Sequence, residues 1–181
     1  MKRASDVGKL DQLSDALDNF RCYKDEDIET FLRYRAFEYL ERNWCTIYLI
    51  LSEEAFEQGG LKIEAYFTLS HKMLFPSGAS KRKIQSASGF NDAESIHFVL
   101  IGHLGKHIEK TATGIDNCAV ITSGEILDYA FEIMEAASNL ITCRCALVEC
   151  NDHPKVHKIY TDYGFTYFQH DGDHHQFYKR I

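Results

Sequence analysis

With 181 residues, 45% of them hydrophobic and 13% aromatic, the chain has the size and content of one domain with a real buried core, which excludes a disordered chain. Its formal net charge of −7 disfavours general nucleic-acid binding, because neutralising phosphates needs a basic face. The opening MKRASDVGKL has no apolar core behind its cations, and the longest apolar run elsewhere, IYLIL at 47–51, is strand length, so neither a signal peptide nor a membrane span is expected.

In chain order, a short helix is expected over 9–20. A longer one is expected over 25–43, where acids lead, Arg residues close, and Ile28, Phe31, Leu32, Phe37 and Leu40 fall near helical spacing. CTIYLIL (45–51) and LKIEAYFTLS (61–70) read as an antiparallel strand pair joined by a loop containing Gly59 and Gly60. The Ser-, Gly- and Lys-rich stretch 75–95 reads as a long excursion holding one or two helical turns. It contains the chain's only basic cluster, SKRKIQ at 80–85, read as solvated loop.

SIHFVLIGHLG (95–105) is an almost continuous apolar strand of the kind buried on both faces, with Gly102 placed for a bulge or a close backbone approach. A loop follows. Thr122 and Glu125 then stand at capping-box spacing and open a helix over 122–139. CRCALVEC (143–150) predicts a buried strand, 153–163 a short helix, and the end of the chain two strands around Asp171, Gly172 and Asp173. No linker or repeat divides the chain, so a single domain over 1–181 is expected, with its N-terminal helical part at 1–43 and a crossover helix joining two parallel strands.

Cysteines such as Cys45, Cys143, Cys145 and Cys150 lie in strand-like stretches and read as reduced thiols of a cytoplasmic protein. His153 and His157 stand at i, i+4, and HDGDHH (170–175) packs three His and two Asp into a turn. Both patterns suit zinc, but without a CxxC pair or HExxH the turn reading prevails and no metal is expected.

The end of the chain, LVECNDHPKVHKIYTDYGF, runs strand, loop, helix and Y-x-x-x-G-F, with Tyr160 at the tyrosine and Gly164 and Phe165 at the Gly-Phe. On these residues it resembles the GNAT superfamily of acyl-CoA-dependent N-acetyltransferases. The likeness extends from about residue 45 to the end. A second family signature, Q/R-x-x-G-x-G/A, falls on AVITSG: Gly124 matches the last position, while Ala119 and Thr122 stand where the family has Gln or Arg and its first Gly.

The resemblance implies an α/β (α+β) fold with a mixed, mostly antiparallel central sheet, one parallel strand pair splayed to hold acyl-CoA, and flanking helices. It implies acetyl-CoA as cosubstrate, held by the backbone of Leu104, Gly105 and Lys106, by Asn151, and by Thr122, Ser123 and Gly124 at a helix start whose N–H groups cradle pyrophosphate. Glu125 would have to turn back to its own cap. Tyr160 is implied as the acid that protonates the leaving thiolate; His103 and Glu149 are the candidate bases. The implied reaction acetylates a primary amine on a small molecule or protein, the acidic balance leaning towards a polyamine, Lys side chain or aminoglycoside. The alternatives are an aminoacyl-tRNA-acetylating toxin of the same superfamily, against which the acidity weighs, and a non-catalytic acyl-CoA-binding module. A homodimer is compatible with all of these.

Overall fold

The computed structural model describes residues 10–138, 140 and 143–181. Residue 9 of the first expected helix and residue 139 of the helix over 122–139 lie outside the described residues. Two compact units are distinguished, one made of the chain up to Phe67 with His103–Thr122, the other of Thr68–Gly102 with Ser123–Ile181.

The first unit opens with α1 (Leu10–Asp18). Asp25 then caps α2 (Glu26–Thr30), its carboxylate accepting from the Ile28 amide at 3.2 Å. The long helix expected over 25–43 is interrupted by a π-helical turn at Phe31–Arg35 before resuming as α3 (Ala36–Glu41). A π turn inserts one residue into the helical period and rotates everything after it. That is why Phe37 and Leu40, expected on the inner stripe, are exposed, and Ala36 is buried instead.

Strand β1 (Thr46–Leu51) lies beside β2 (Ile63–Leu74) as expected. Their connection holds a helix the pattern did not reveal, α4 (Glu53–Glu57), with Ser52 as its cap. The loop expected after residue 105 also carries structure, a small hairpin of β4 (Ile108–Lys110) and β5 (Asp116–Cys118). The core of this unit gathers Leu17, Phe20, Phe31, Leu32, Ile63 and Tyr66.

In the second unit the excursion contributes α5 (Lys81–Ser88), capped by Ser80 and closed by Gly89. Strand β3 (Ile96–Lys106) runs from this unit into the first. The expected long helix is α6 (Ser123–Ser138), followed by β6 (Cys145–Asn151), α7 (Pro154–Asp162), β7 (Thr166–Asp171) and β8 (His174–Arg180). The six-stranded sheet has the order β1-β2-β3-β6-β8-β7, and all six cysteines are free. The β3–β6 pair is parallel, with Val99, Leu100 and Ile101 opposite Ala146, Leu147 and Val148; β6–β8 and β7–β8 are antiparallel. A parallel pair cannot be joined by a hairpin, and the chain from 107 to 144, with α6 as its main element, makes the crossover. Strand β6 is fully buried from Cys145 to Val148, which accounts for its unbroken apolar letters. Among the described residues no helix is long and apolar enough to cross a membrane.

Gly105 is a glycine for a packing reason. It is buried on β3, and a Cβ there would overlap the Cγ2 of Ile28 and press on Tyr66. Gly105, whose backbone the resemblance implies as a cosubstrate contact, is therefore filled on its side-chain face by α2. Gly105→Ala should lower the unfolding free energy by about 1–3 kcal/mol through overpacking. In a urea-unfolding cycle with Ile28→Ala the two losses should be sub-additive, since the second change vacates the contested space; simple additivity would contradict this packing.

Candidate functional site

Helix α7 places Tyr160 by a C-terminal motif that its sequence spells out. The Phe165 amide donates to the Tyr160 carbonyl at 2.9 Å and the Gly164 amide to the Thr161 carbonyl at 3.0 Å. These are the two bonds of a Schellman ending, and Gly164 supplies the required left-handed residue with φ of 95°. The accompanying apolar contact is between Tyr160 and Phe165, ring centroids 5.7 Å apart. The Y-x-x-x-G-F spacing is thus the spacing that lets the helix stop and turn straight into β7. Tyr160 is buried, with Phe177 of β8 on its other side.

Tyr163, one turn on, has a different job. Its hydroxyl donates to Asp128 Oδ1 at 2.6 Å, the Lys179 ammonium lies 4.0 Å from its ring centroid, and its ring packs on Phe131. Burial and then the Asp128 carboxylate push its phenol well up, so it stays protonated. It fastens α7 to α6 and β8.

Glu149, near the end of β6, is held at both oxygens. Lys72 Nζ donates to Oε2 and Gln176 Nε2 to Oε1, each at 2.6 Å. The carboxylate thereby ties β2, β6 and β8 together, and a base so engaged would have to shed a donor before taking a proton. Asn151 ends β6 and is exposed, paired in register with His174.

His103 lies in the first unit, stacked on Phe31 with centroids 3.7 Å apart. Burial, helped by the nearby Arg35, pulls its pKa below the usual imidazole value against the opposing pull of Asp25 and Asp27, so the ring is neutral at pH 7. His107 is lowered for the same first reason: it is buried, accepting at Nδ1 from the Arg21 amide at 3.3 Å, with Glu109 opposing. Leu104, Gly105 and Lys106 continue β3 beyond Ile101, where its parallel register with β6 ends. The Lys106 ammonium donates to the Ile121 carbonyl at 3.3 Å, so a cation stands against the chain leading into α6. Thr122 immediately precedes α6, with Ser123 and Gly124 as its first two residues and Glu125 in its first turn, the positions expected from the sequence.

Lys72, Gln176 and the Phe31 partner of His103 were not legible in the sequence. Each lies far along the chain from the residue it touches, and none belongs to a local motif.

No protein-family model and no curated protein sequence matches the chain. Solved structures do. The toxin AtaT complexed with acetyl-methionyl-tRNAfMet superposes with a TM-score of 0.69 at 16% identity, covering 91% of this chain and 86% of that one. A mutant of the toxin KacT, tyrosine replaced by phenylalanine, gives 0.67 at 17% identity, covering 91% and 86%. AtaTR bound with acetyl-CoA gives 0.64 at 16%, covering 91% and 86%. At these identities the likeness is one of fold: the chain has the GNAT-like architecture, a mixed sheet with one parallel pair, that its C-terminal motif resembles.

Buried His107 and half-buried His103 fix a pH dependence. Their folded pKa values lie below the unfolded one, about 6.5, so above that value they contribute nothing, and as pH falls through it the unfolded chain binds protons that the fold refuses. Stability should drop from about pH 6.5 down to the lowered values and then level off. His103→Gln should remove part of that slope in urea-unfolding curves taken across the range; an unchanged slope would contradict a lowered His103 pKa in the fold.

Proposed function

We propose that the protein is an acetyl-CoA-dependent N-acetyltransferase in which Tyr160 is the general acid. The observation that carries this reading is the placement of Tyr160, buried at the third residue from the end of α7 by a helix ending that couples it to Gly164 and Phe165. Two further features support it. Beyond Ile101 the β3 backbone at Leu104, Gly105 and Lys106 is offered to the pantetheine arm without a parallel partner in register. The first amides of α6, at Ser123 and Gly124, offer orphan N–H groups and the positive end of a 16-residue helix to pyrophosphate, with Thr122 at the cap and the Lys106 ammonium against the approach to it. Asn151, exposed at the end of β6, is a further polar contact for the cosubstrate.

In the reaction the acceptor nitrogen forms a bond to the acetyl carbon as the carbon–sulfur bond breaks. The Tyr160 hydroxyl gives its proton to the departing sulfur, a transfer within reach because phenol and thiol pKa values differ by about two units. His103 and Glu149 are the two candidate bases for the amine's proton: the His103 pKa is lowered, which favours the neutral imidazole, and both Glu149 oxygens accept from Lys72 and Gln176, so that carboxylate must shed a donor first.

For the acceptor, the amine of an aminoacyl-tRNA is favoured over a free polyamine. The similar structure of AtaT is a complex with acetyl-methionyl-tRNAfMet, and the net acidity conceals a basic surface here. Lys81 and Arg82 are exposed at the start of α5, and its end meets two arginines: Arg180 donates to the Ser86 carbonyl at 3.2 and 3.1 Å, and Arg144 lies beside Gly89. A helix with cations and no acid in its first turn is poorly matched to its own dipole, and a polyphosphate partner would correct that.

Labelled acetyl-CoA offered with charged tRNA and with spermidine tests both levels. Label should appear on the aminoacyl group. Tyr160→Phe should cut kcat by about one to three orders of magnitude with acetyl-CoA affinity nearly unchanged, the range for loss of a general acid. Lys81→Glu with Arg82→Glu should weaken tRNA use and flatten its salt dependence, the log–log slope falling by about one for each phosphate no longer neutralised. Undiminished turnover by Tyr160→Phe would return the tyrosine to a packing role, and label on spermidine alone would exclude the tRNA acceptor.

A further inference from the structure

We propose that Asp152, His157 and His175 form a zinc-type metal site that links α7 to the β7–β8 hairpin. One ligand atom from each residue lies within 4.8 Å of the others. The three come from different elements: Asp152 from the turn after β6, His157 from α7, and His175 from β8, its ring 4.8 Å from that of His157. His157 Nε2 is a buried nitrogen with no hydrogen-bond partner among the described residues; its nearest acidic oxygen, Asp152 Oδ1, is 3.9 Å away, too far for a hydrogen bond. A buried polar atom left without a partner is costly, and a cation held between that nitrogen and the carboxylate would satisfy both.

The donor set selects the kind of metal. Two imidazoles and a carboxylate suit zinc and its late first-row neighbours, whereas magnesium and calcium take oxygen ligands. Tetrahedral ligation with bonds near 2.0–2.1 Å needs ligand atoms about 3.3 Å apart, so separations of up to 4.8 Å must close by as much as about 1.5 Å. Asp152 is the residue that can move: its side chain is 75% exposed, while His157 is packed against Phe177. Room for a fourth ligand lies alongside, in a cavity of about 480 Å³ lined by Asn151, Asp152, His170, Gly172, Asp173 and His175. Water there, or His170, which faces His175 across the β7–β8 pair, would complete four-coordination.

The pairings suggested by the sequence were different ones. His153 does not join His157, because it lies at the exposed cap of α7, and of the HDGDHH residues only His175 stands in the three-ligand cluster. A metal here would brace the helix carrying Tyr160 three residues beyond His157. The proposal stands independently of acetyl transfer.

Chelator-treated protein titrated with Zn²⁺ and followed by thermal unfolding gives the test. At a hundredfold excess over Kd the melting temperature should rise by roughly 5–10 °C, with no rise for Mg²⁺. The rise should vanish in His157→Ala and in His175→Ala. Co²⁺ bound to the unaltered protein should show the intense visible bands of a four-coordinate site without thiolate charge transfer, a readout that does not depend on the variants folding. Asp152→Asn, an exposed change, should weaken Zn²⁺ binding at least about tenfold. No zinc response in the unaltered protein, a response retained by both histidine variants, or thiolate bands with Co²⁺ would each overturn the site.

Discussion

A parallel contact only three residue pairs long, Val99 to Ile101 against Ala146 to Val148, constrains the rest of the structure. Parallel strands demand a crossover, and the crossover here includes α6, so the start of that helix is built into the same passage of chain as the end of β3. Because the register stops at Ile101 while β3 runs on to Lys106, the strand keeps backbone groups beyond the pair.

Glu149 accepts from Lys72 and Gln176 and so joins three strands through one carboxylate, on a residue also suited to proton transfer. Two donors on one carboxylate fix the strand positions and leave Glu149 poorly available as a base. Tyr163, bonded to Asp128 and roofed by Lys179, holds the end of α7 in a similar way, so that the motif around Tyr160 is anchored from both sides.

How far the sequence could be read depended on whether a feature was local. The Tyr160, Gly164 and Phe165 spacing was legible because a helix ending is written within six consecutive residues, and the start of α6 was legible from Thr122 and Glu125. The turn at Phe31–Arg35 was not, since a one-residue insertion into the helical period leaves no mark in composition, and the letters at Phe37 and Leu40 looked like an ordinary inner stripe. Helix α4 and the β4–β5 hairpin were too short to show a period. The packing reason for Gly105 was not legible, because only the fold shows that Ile28 stands where its Cβ would be. The partners of Glu149 and His103, and the grouping of Asp152 with His157 and His175, each join residues from separate elements, which no spacing rule connects.

The central claim is that acetyl-CoA lies along the end of β3 with its pyrophosphate at the start of α6. Amide hydrogen exchange with and without acetyl-CoA addresses it most directly. The account predicts that the amides of 104–106 and 122–125 exchange more slowly when the cosubstrate is present, while α1 and the β4–β5 hairpin are unaffected. Protection confined to other segments, or no change at saturating acetyl-CoA, would contradict it.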